Sequence, residues 1–304
     1  MITSTANPRI RELVKLKKSA RERMKEGVFL VEGPKMFREI PQNLCREVYG
    51  SESFLRTEEG SALLRGKGLW KGSGKGPEKG SGKDSEKGSG KGSEKGSGKD
   101  YEKGSENGFV EMVSDPVFQY LSDTKTPQGI LAVVKQQEYE LPDLIKKETA
   151  PLILILENLQ DPGNLGTILR TAEAAGAAGI ILSSGCADIY SPKVTRSTMG
   201  SIFRVPFLYT DSLKETILSL KRQGVRILAA HLKGSVSLYE ASLTGAAALM
   251  IGNESRGLTE EIAALSDCAV RIPMSGSVES LNAAVAASIL MFEARRQRMA
   301  QAYV

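Results

Sequence analysis

Histidine, cysteine and tryptophan are scarce in this chain: one, three and one among 304 residues, with aromatic residues at 6%. A lone His231 cannot supply the clustered imidazoles of a zinc or non-haem iron site, and Cys45, Cys186 and Cys268 form no CxxC pair to replace them. No metal is expected, and His231 reads as structural. Scattered cysteines offer no disulfide framework either, and point to reduced thiols in a cytoplasmic protein. No apolar run approaches the roughly 18 residues needed to cross a bilayer, so no membrane partner is expected. Residues 1–25 are charged throughout and lack the apolar stretch of a secretory signal. Two nucleotide signatures are missing as well. No Gly-Lys step is followed by Ser or Thr, and no GxGxxG follows an apolar strand, which argues against an NTPase phosphate loop and a dinucleotide fold.

What is present includes a hydrophobic fraction of 40%, ordinary for a chain that buries a core, and a length comfortable for two domains. The net charge is +5, unevenly spread: between Asn7 and Lys25 eight basic residues stand against two glutamates. Such a stripe suits a phosphate backbone, although a solvated helix face has the same composition. Residues 71–102 repeat an eight-residue unit, from KGSGKGPE to KGSGKDYE, and the bias fades by Gly108. Glycine, serine, lysine and glutamate in these proportions bury too little apolar surface to offset the ordering entropy. Residues 66–108 are therefore read as a low-complexity, disordered insertion, whose removal is expected to leave folding and cofactor binding intact.

Around that insertion, residues 1–137 read as a small α/β unit. It comprises a helix over 8–25, a strand over 28–31, a helix from Pro34, an apolar segment over 109–113, a helix over 115–121 and a strand over 129–134. Residues 138–149, charged and carrying Pro142, read as an interdomain linker. From 150 to 304 the pattern alternates. PLILIL (151–156), GIILSS (179–184), VRILAA (225–230) and AALMIG (247–252) are apolar strands. Helices are expected from Gly166 to Ala175, Asp211 to Gln223 and Leu281 to Gln297. This predicts an α/β domain with a parallel sheet covered on both faces. Ligands of such sheets sit at the C-terminal strand ends, here the loops after residues 156, 230, 252 and 273.

Three loops carry polar motifs. The first runs Glu157-Asn158-Leu159-Gln160-Asp161-Pro162-Gly163-Asn164-Leu165-Gly166 into Thr167-Ile168-Leu169-Arg170. Asn164 at the helix start and Arg170 nearly two turns later are placed to share a cleft; an N-cap and a surface ion-pair partner are the plain alternatives. The second is Gly252-Asn253-Glu254-Ser255-Arg256-Gly257-Leu258, whose glycines allow close backbone approach. The third is Arg271-Ile272-Pro273-Met274-Ser275-Gly276-Ser277-Val278-Glu279-Ser280-Leu281-Asn282, a small-residue loop with apolar Ile272, Met274 and Leu281 against which a nucleotide-like ligand can rest.

In order, spacing and strand-end placement these motifs resemble the SpoU/TrmH-type RNA 2′-O-ribose methyltransferases of the SPOUT superfamily, across about residues 151–298. The resemblance extends to Ile2-Thr3-Ser4, Asn7-Pro8, Phe29-Leu30-Val31-Glu32-Gly33 and Thr126-Pro127-Gln128-Gly129-Ile130, which look like that family's N-terminal RNA substrate-binding domain. It implies a SPOUT domain with a deep trefoil knot, S-adenosyl-L-methionine as cofactor, and a homodimer using the C-terminal helix. Gly252, Ile272, Met274 and Leu281 would hold the cofactor. Arg170 would act on the 2′-hydroxyl, as base or as orienting group; Asn164 would orient the ribose or Arg170. Glu254 would anchor the second motif, while Ser280 and Asn282 would shape the site. Arg196 and Arg256 are candidates for phosphate contact. The substrate implied is RNA, with ribosomal RNA favoured over transfer RNA because the N-terminal extension resembles the version in ribosomal enzymes. A base methyltransferase or a catalytically silent RNA-binding protein on the same fold are the competing readings.

Overall fold

The computed structural model describes residues 1–69, 109–145, 149–232 and 234–301. The repeat at 71–102 lies outside them. Residues 66–69 do not: Leu69 donates its amide to the Leu64 carbonyl and packs, partly buried, on the core. A deletion beginning at Gly66 would therefore remove packing, and the repeat is better excised after Leu69.

The N-terminal module runs α1 (Pro8–Lys18), α2 (Ala20–Glu26), β1 (Val28–Glu32), α3 (Pro34–Glu39), β2 (Cys45–Ser51), α4 (Glu52–Leu55), α5 (Glu58–Gly66), β3 (Phe109–Val113), α6 (Asp115–Leu121) and β4 (Ile130–Lys135). The helix expected over 8–25 is two. Ser19 leaves the helical region and its hydroxyl accepts from the Glu22 amide, capping the second helix. The four strands order as β1-β4-β2-β3. One face of this sheet is covered by Leu13 and Leu16 of α1 and Phe118 and Leu121 of α6. The other face belongs to a core that continues into the C-terminal half.

The C-terminal half follows as α7 (Leu141–Ile145), β5 (Leu152–Leu156), α8 (Pro162–Ala175), β6 (Gly179–Ser183), α9 (Pro192–Thr198), β7 (Phe207–Thr210), α10 (Leu213–Arg222), β8 (Arg226–Ala230), β9 (Val236–Ser237), β10 (Ala247–Ile251), α11 (Glu260–Ala263), β11 (Cys268–Arg271) and α12 (Ala283–Gln301). All seven strands pair in parallel, in the order β7-β6-β5-β10-β8-β11-β9. Period-two alternation explains why the strands read as unbroken apolar runs. Leu152, Leu154 and Leu156 of β5 face the layer of α8 and α12, while Ile153 and Ile155 face that of α10. Within the segment expected as a linker, α7 buries Leu144 on this second face. Helix α8 starts four residues earlier than expected because Asp161 caps it through the Asn164 amide and Pro162 takes the first turn, where a missing N–H costs nothing.

The modules are welded rather than loosely linked. Arg23, 4% exposed, donates to the Leu16 and Lys17 carbonyls that end α1 and to Asp188 at 2.5 and 3.0 Å. Phe29 packs against Tyr190, the rings tilted by 41° with centroids 4.6 Å apart. Arg196, a candidate for phosphate contact, instead pairs with Asp123 at 3.0 Å and so joins α9 to the N-terminal module. No helix among the described residues is long and apolar enough to cross a membrane.

Candidate active site

Strand β10 lies between β5 and β8, so the loops after β5 and β10 emerge side by side. Backbone pairing aligns them: the Glu157 amide donates to the Ile251 carbonyl at 2.9 Å. The loop after β10 closes on itself through reciprocal bonds between Asn253 and Gly257. A side chain at Gly252 would meet the Gly257 carbonyl carbon and the Leu258 nitrogen, both at 2.1 Å, so only glycine lets this turn close.

Side chains then lock the first loop to the second. The Glu254 carboxylate accepts from the amides of Asp161 (2.9 Å) and Gln160 (3.2 Å) and from the Asn164 side chain (3.1 Å). Asn253 donates to the Asn158 carbonyl at 2.8 Å, and its own carbonyl takes the Ser255 and Arg256 amides. Buried Glu157 accepts from both the amide and the hydroxyl of Thr259, at 2.8 and 2.7 Å, fixing the far end of the second loop. Asn158 adopts φ +52, rare for a side-chain-bearing residue, and is held there by Ser183, whose hydroxyl takes the Asn158 amide at 2.8 Å. Beneath it the Cys186 thiol donates to the Leu156 carbonyl, and burial pushes this thiol up, keeping it protonated as a donor requires.

Burial also pushes the Glu254 carboxyl up, but the Asp161, Asn164 and Gln160 donors outweigh it and leave it below the usual glutamate range. This carboxylate is a structural anion.

The third loop completes the enclosure. Strand β11 is separated from β10 by β8, yet Asn282 at the loop's end donates to the Asn164 carbonyl oxygen at 2.9 Å. Residues 272–281 must therefore cross the C-terminal ends of β8 and β10. Asn282 also caps α12, its side-chain oxygen accepting from Ala284 and Val285. Between these anchors, residues 273–281 make no hydrogen bond to the rest of the chain among the described residues, so their exposed amides are open to a ligand. Ile272 is half-buried on the core, Leu281 is half-buried and Met274 is 40% exposed. A fourth strand-end segment, after β8, joins this wall: the His231 amide donates to Val270, and Arg271 donates to the Gly234 and Ser235 carbonyls.

Of the residues expected in the site, the structure brings Asn164, Glu254 and Asn282 into one hydrogen-bonded chain, with Gly252 in the turn beneath. Arg170 and Ser280 are exposed, and their side chains make no hydrogen bond or ion pair among the described residues. Arg170 also stands about 120° round α8 from Asn164, since six residues turn the helix through about 600°. Its flank is the one on which Gly166 packs so tightly against α9 that a side chain there would strike the Ser197 hydroxyl at 1.7 Å. Glu157, Asn253 and Thr259 were within or beside the motifs but carried no assignment, because nothing in their local pattern reports a partner 102 residues away.

Comparison with known proteins agrees with this construction. The model of the SpoU rRNA Methylase family matches residues 151–292. The 23S rRNA (guanosine(2553)-2′-O)-methyltransferase RlmP of Bacillus subtilis is 36% identical over 184 residues, 60% of this chain and 71% of that protein. This chain belongs to the SpoU family. The 23S rRNA (guanosine-2′-O-)-methyltransferase RlmB of Escherichia coli is 37% identical over 59% of this chain and 77% of its own. Among solved structures, a putative TrmH-family RNA methyltransferase from Porphyromonas gingivalis superposes with TM-score 0.72 and 32% identity, over 97% of this chain and all of its own. The SpoU methyltransferase AviRb from Streptomyces viridochromogenes, in complex with AdoMet, superposes with TM-score 0.76 and 25% identity over 96% and 98%. The α/β expectation and the family resemblance are thus borne out, N-terminal module included.

Proposed function

We propose that this chain transfers a methyl group from S-adenosyl-L-methionine to a ribose 2′-hydroxyl of RNA, in ribosomal RNA. The observation that carries the reading is the Glu254–Asn164–Asn282 chain, which ties the three motif loops together at the strand ends, while the Arg170 side chain on α8 is left unbonded. S-adenosyl-L-methionine, when bound, supplies an electrophilic methyl group. The exposed amides of 273–281 and the apolar surfaces of Ile272, Met274 and Leu281 suit it, beside the turn at Gly252.

The residues of the chain then have to handle a poor nucleophile. The 2′-oxygen would have to approach in line and give up its proton to solvent water as its bond to carbon forms and the sulfur–methyl bond breaks, the cofactor leaving as a neutral thioether. Guanidinium groups hold their protons throughout the ordinary pH range, so Arg170 orients the hydroxyl and stabilises the charge growing on its oxygen rather than removing the proton. Asn164 is fixed by Glu254 on one side and Asn282 on the other, and so holds the first and third loops in place around the ribose. Ser280 contributes a hydroxyl from the crossing loop.

The remaining parts of the reading follow the same lines. Residues 1–137 form the substrate-binding domain and 150–304 the knotted SPOUT domain. Insertion of β10 between β5 and β8 is in keeping with a deep trefoil knot. Val285 and Phe292, each 48% exposed on α12, supply an apolar face for a homodimer. Free cysteines suit a cytoplasmic enzyme.

The test is tritiated methyl transfer from S-adenosyl-L-methionine into total RNA, followed by alkaline hydrolysis. Label in alkali-resistant dinucleotides, absent with Arg170→Ala, is the expected result. Label in alkali-sensitive mononucleotides would assign base methylation, and no label in any unmodified RNA would leave an RNA-binding protein.

A further inference from the structure

Besides Asn158, the other described non-glycine residue with positive φ is Met199, at φ +51, and it lies away from the motif loops at the end of α9. A backbone shape that side-chain-bearing residues rarely adopt is here combined with a methionine 44% exposed. Neither feature serves the core. Met199 forms one wall of a cavity of about 240 Å³ between the two modules, whose other walls are Lys35, Met36, Arg38 and Glu39 of α3.

The charges around this groove are not equally held. Glu39 is claimed by Arg204, which also holds Glu173 of α8. Arg38 pairs with Glu59 at 2.8 Å, both about half exposed, an arrangement that a competing anion displaces easily. Lys35 is exposed and has no hydrogen bond or ion pair among the described residues. Arg170 looks toward the same side. Around α8 it lies about 40° from Gly166, which packs on Ser197, and about 60° from Glu173, which bonds Ser201 and Arg204.

We propose that this groove holds a nucleotide of single-stranded RNA adjacent to the one being methylated, with Lys35 and Arg38 at its phosphates and the Met199 thioether against its base. A polarisable, unbranched side chain adapts to any base face, so the groove orients the strand without reading sequence. The proposal rests on the RNA methyltransferase reading above.

The experiment uses the full chain and transcribed ribosomal RNA, with RNA binding measured separately by fluorescence anisotropy. Lys35→Glu is compared with Arg222→Glu, an equal charge change on α10 at the opposite face of the sheet. Lys35→Glu is expected to raise the KM for RNA about tenfold and flatten its salt dependence, leaving kcat and S-adenosyl-L-methionine affinity unchanged, while Arg222→Glu stays within about twofold. Met199→Gly relaxes the backbone, so Tm should hold or rise while the KM for RNA rises about threefold. Equal losses from Lys35→Glu and Arg222→Glu would reduce the groove to general electrostatics and overturn the proposal. So would a Met199→Gly protein with lower Tm and unchanged KM. If the wild type transfers no methyl group, the functional reading fails instead, and the anisotropy difference between wild type and Lys35→Glu still decides the groove.

Discussion

Asn164, Glu254 and Asn282 satisfy their side chains on one another, whereas Arg170, less than two turns along the helix from Asn164, bonds to nothing in the described protein. The first set is finished before any substrate arrives. The second is a charged donor held in water. That contrast separates residues that build the site from residues that wait for a partner: a group already hydrogen-bonded to the protein has little left to offer a transition state, and an unbonded one in solvent contributes little to stability.

The contrast gives predictions in descending size. Arg170→Ala should lower kcat on RNA by on the order of 10²–10³ and move Tm by no more than about 1 °C, because no hydrogen bond or ion pair of its side chain is lost. A large fall in Tm would place Arg170 among the builders instead. Gly252→Ala should weaken S-adenosyl-L-methionine binding at least about tenfold by calorimetry, since the added carbon strikes backbone that must then shift. Asp188→Asn should lower stability by about 1–2 kcal/mol, discounted because Asp188 is 28% exposed, by weakening the partner of buried Arg23. The Ala187 amide beside it bonds the Leu159 carbonyl, so the same variant should lower kcat on RNA severalfold with unchanged cofactor affinity. Unaltered kcat would make the Arg23–Asp188 pair a weld without influence on the first loop.

Glu254→Gln is the mildest, retaining one acceptor oxygen, and should weaken cofactor binding by about 1 kcal/mol. It also carries a pH signature. The folded carboxyl lies below its ordinary value of 4.5, so its contribution is complete above about 4.5 and is lost as pH falls through the lowered value. Cofactor affinity of the wild type should therefore fall at the acid end, with that limb missing in Glu254→Gln. An identical acid limb in both proteins would assign it to another group.

Much of this was legible before the structure. The apolar runs at 151–156, 179–184 and 247–252 became β5, β6 and β10 because strands buried on both faces need no alternation. Asp161, Pro162 and the apolar spacing of Leu165, Ile168, Leu169 and Ala172 specify α8 locally, although the apolar spacing by itself places its start four residues late. Strand β2, CREVYGS, escaped notice because charged Arg46 and Glu47 interrupt its apolar pattern; its place between β4 and β3 is a matter of pairing. The three motif loops were visible as composition, but which residues meet across them was not.

The sequence alone determined the alternation of strand and helix, the glycine on which the second loop turns, and the chemical types gathered at the strand ends. All are local properties, set by burial, capping and backbone sterics over a few residues. Only the tertiary structure decided that β10 slips between β5 and β8, that the third loop crosses two strand ends to bring Asn282 onto Asn164, and that Arg196 pairs with Asp123 rather than facing solvent. Those outcomes depend on contacts between residues 73 to 118 positions apart, whose geometry comes from the packing of whole layers and has no trace in any short window of the chain.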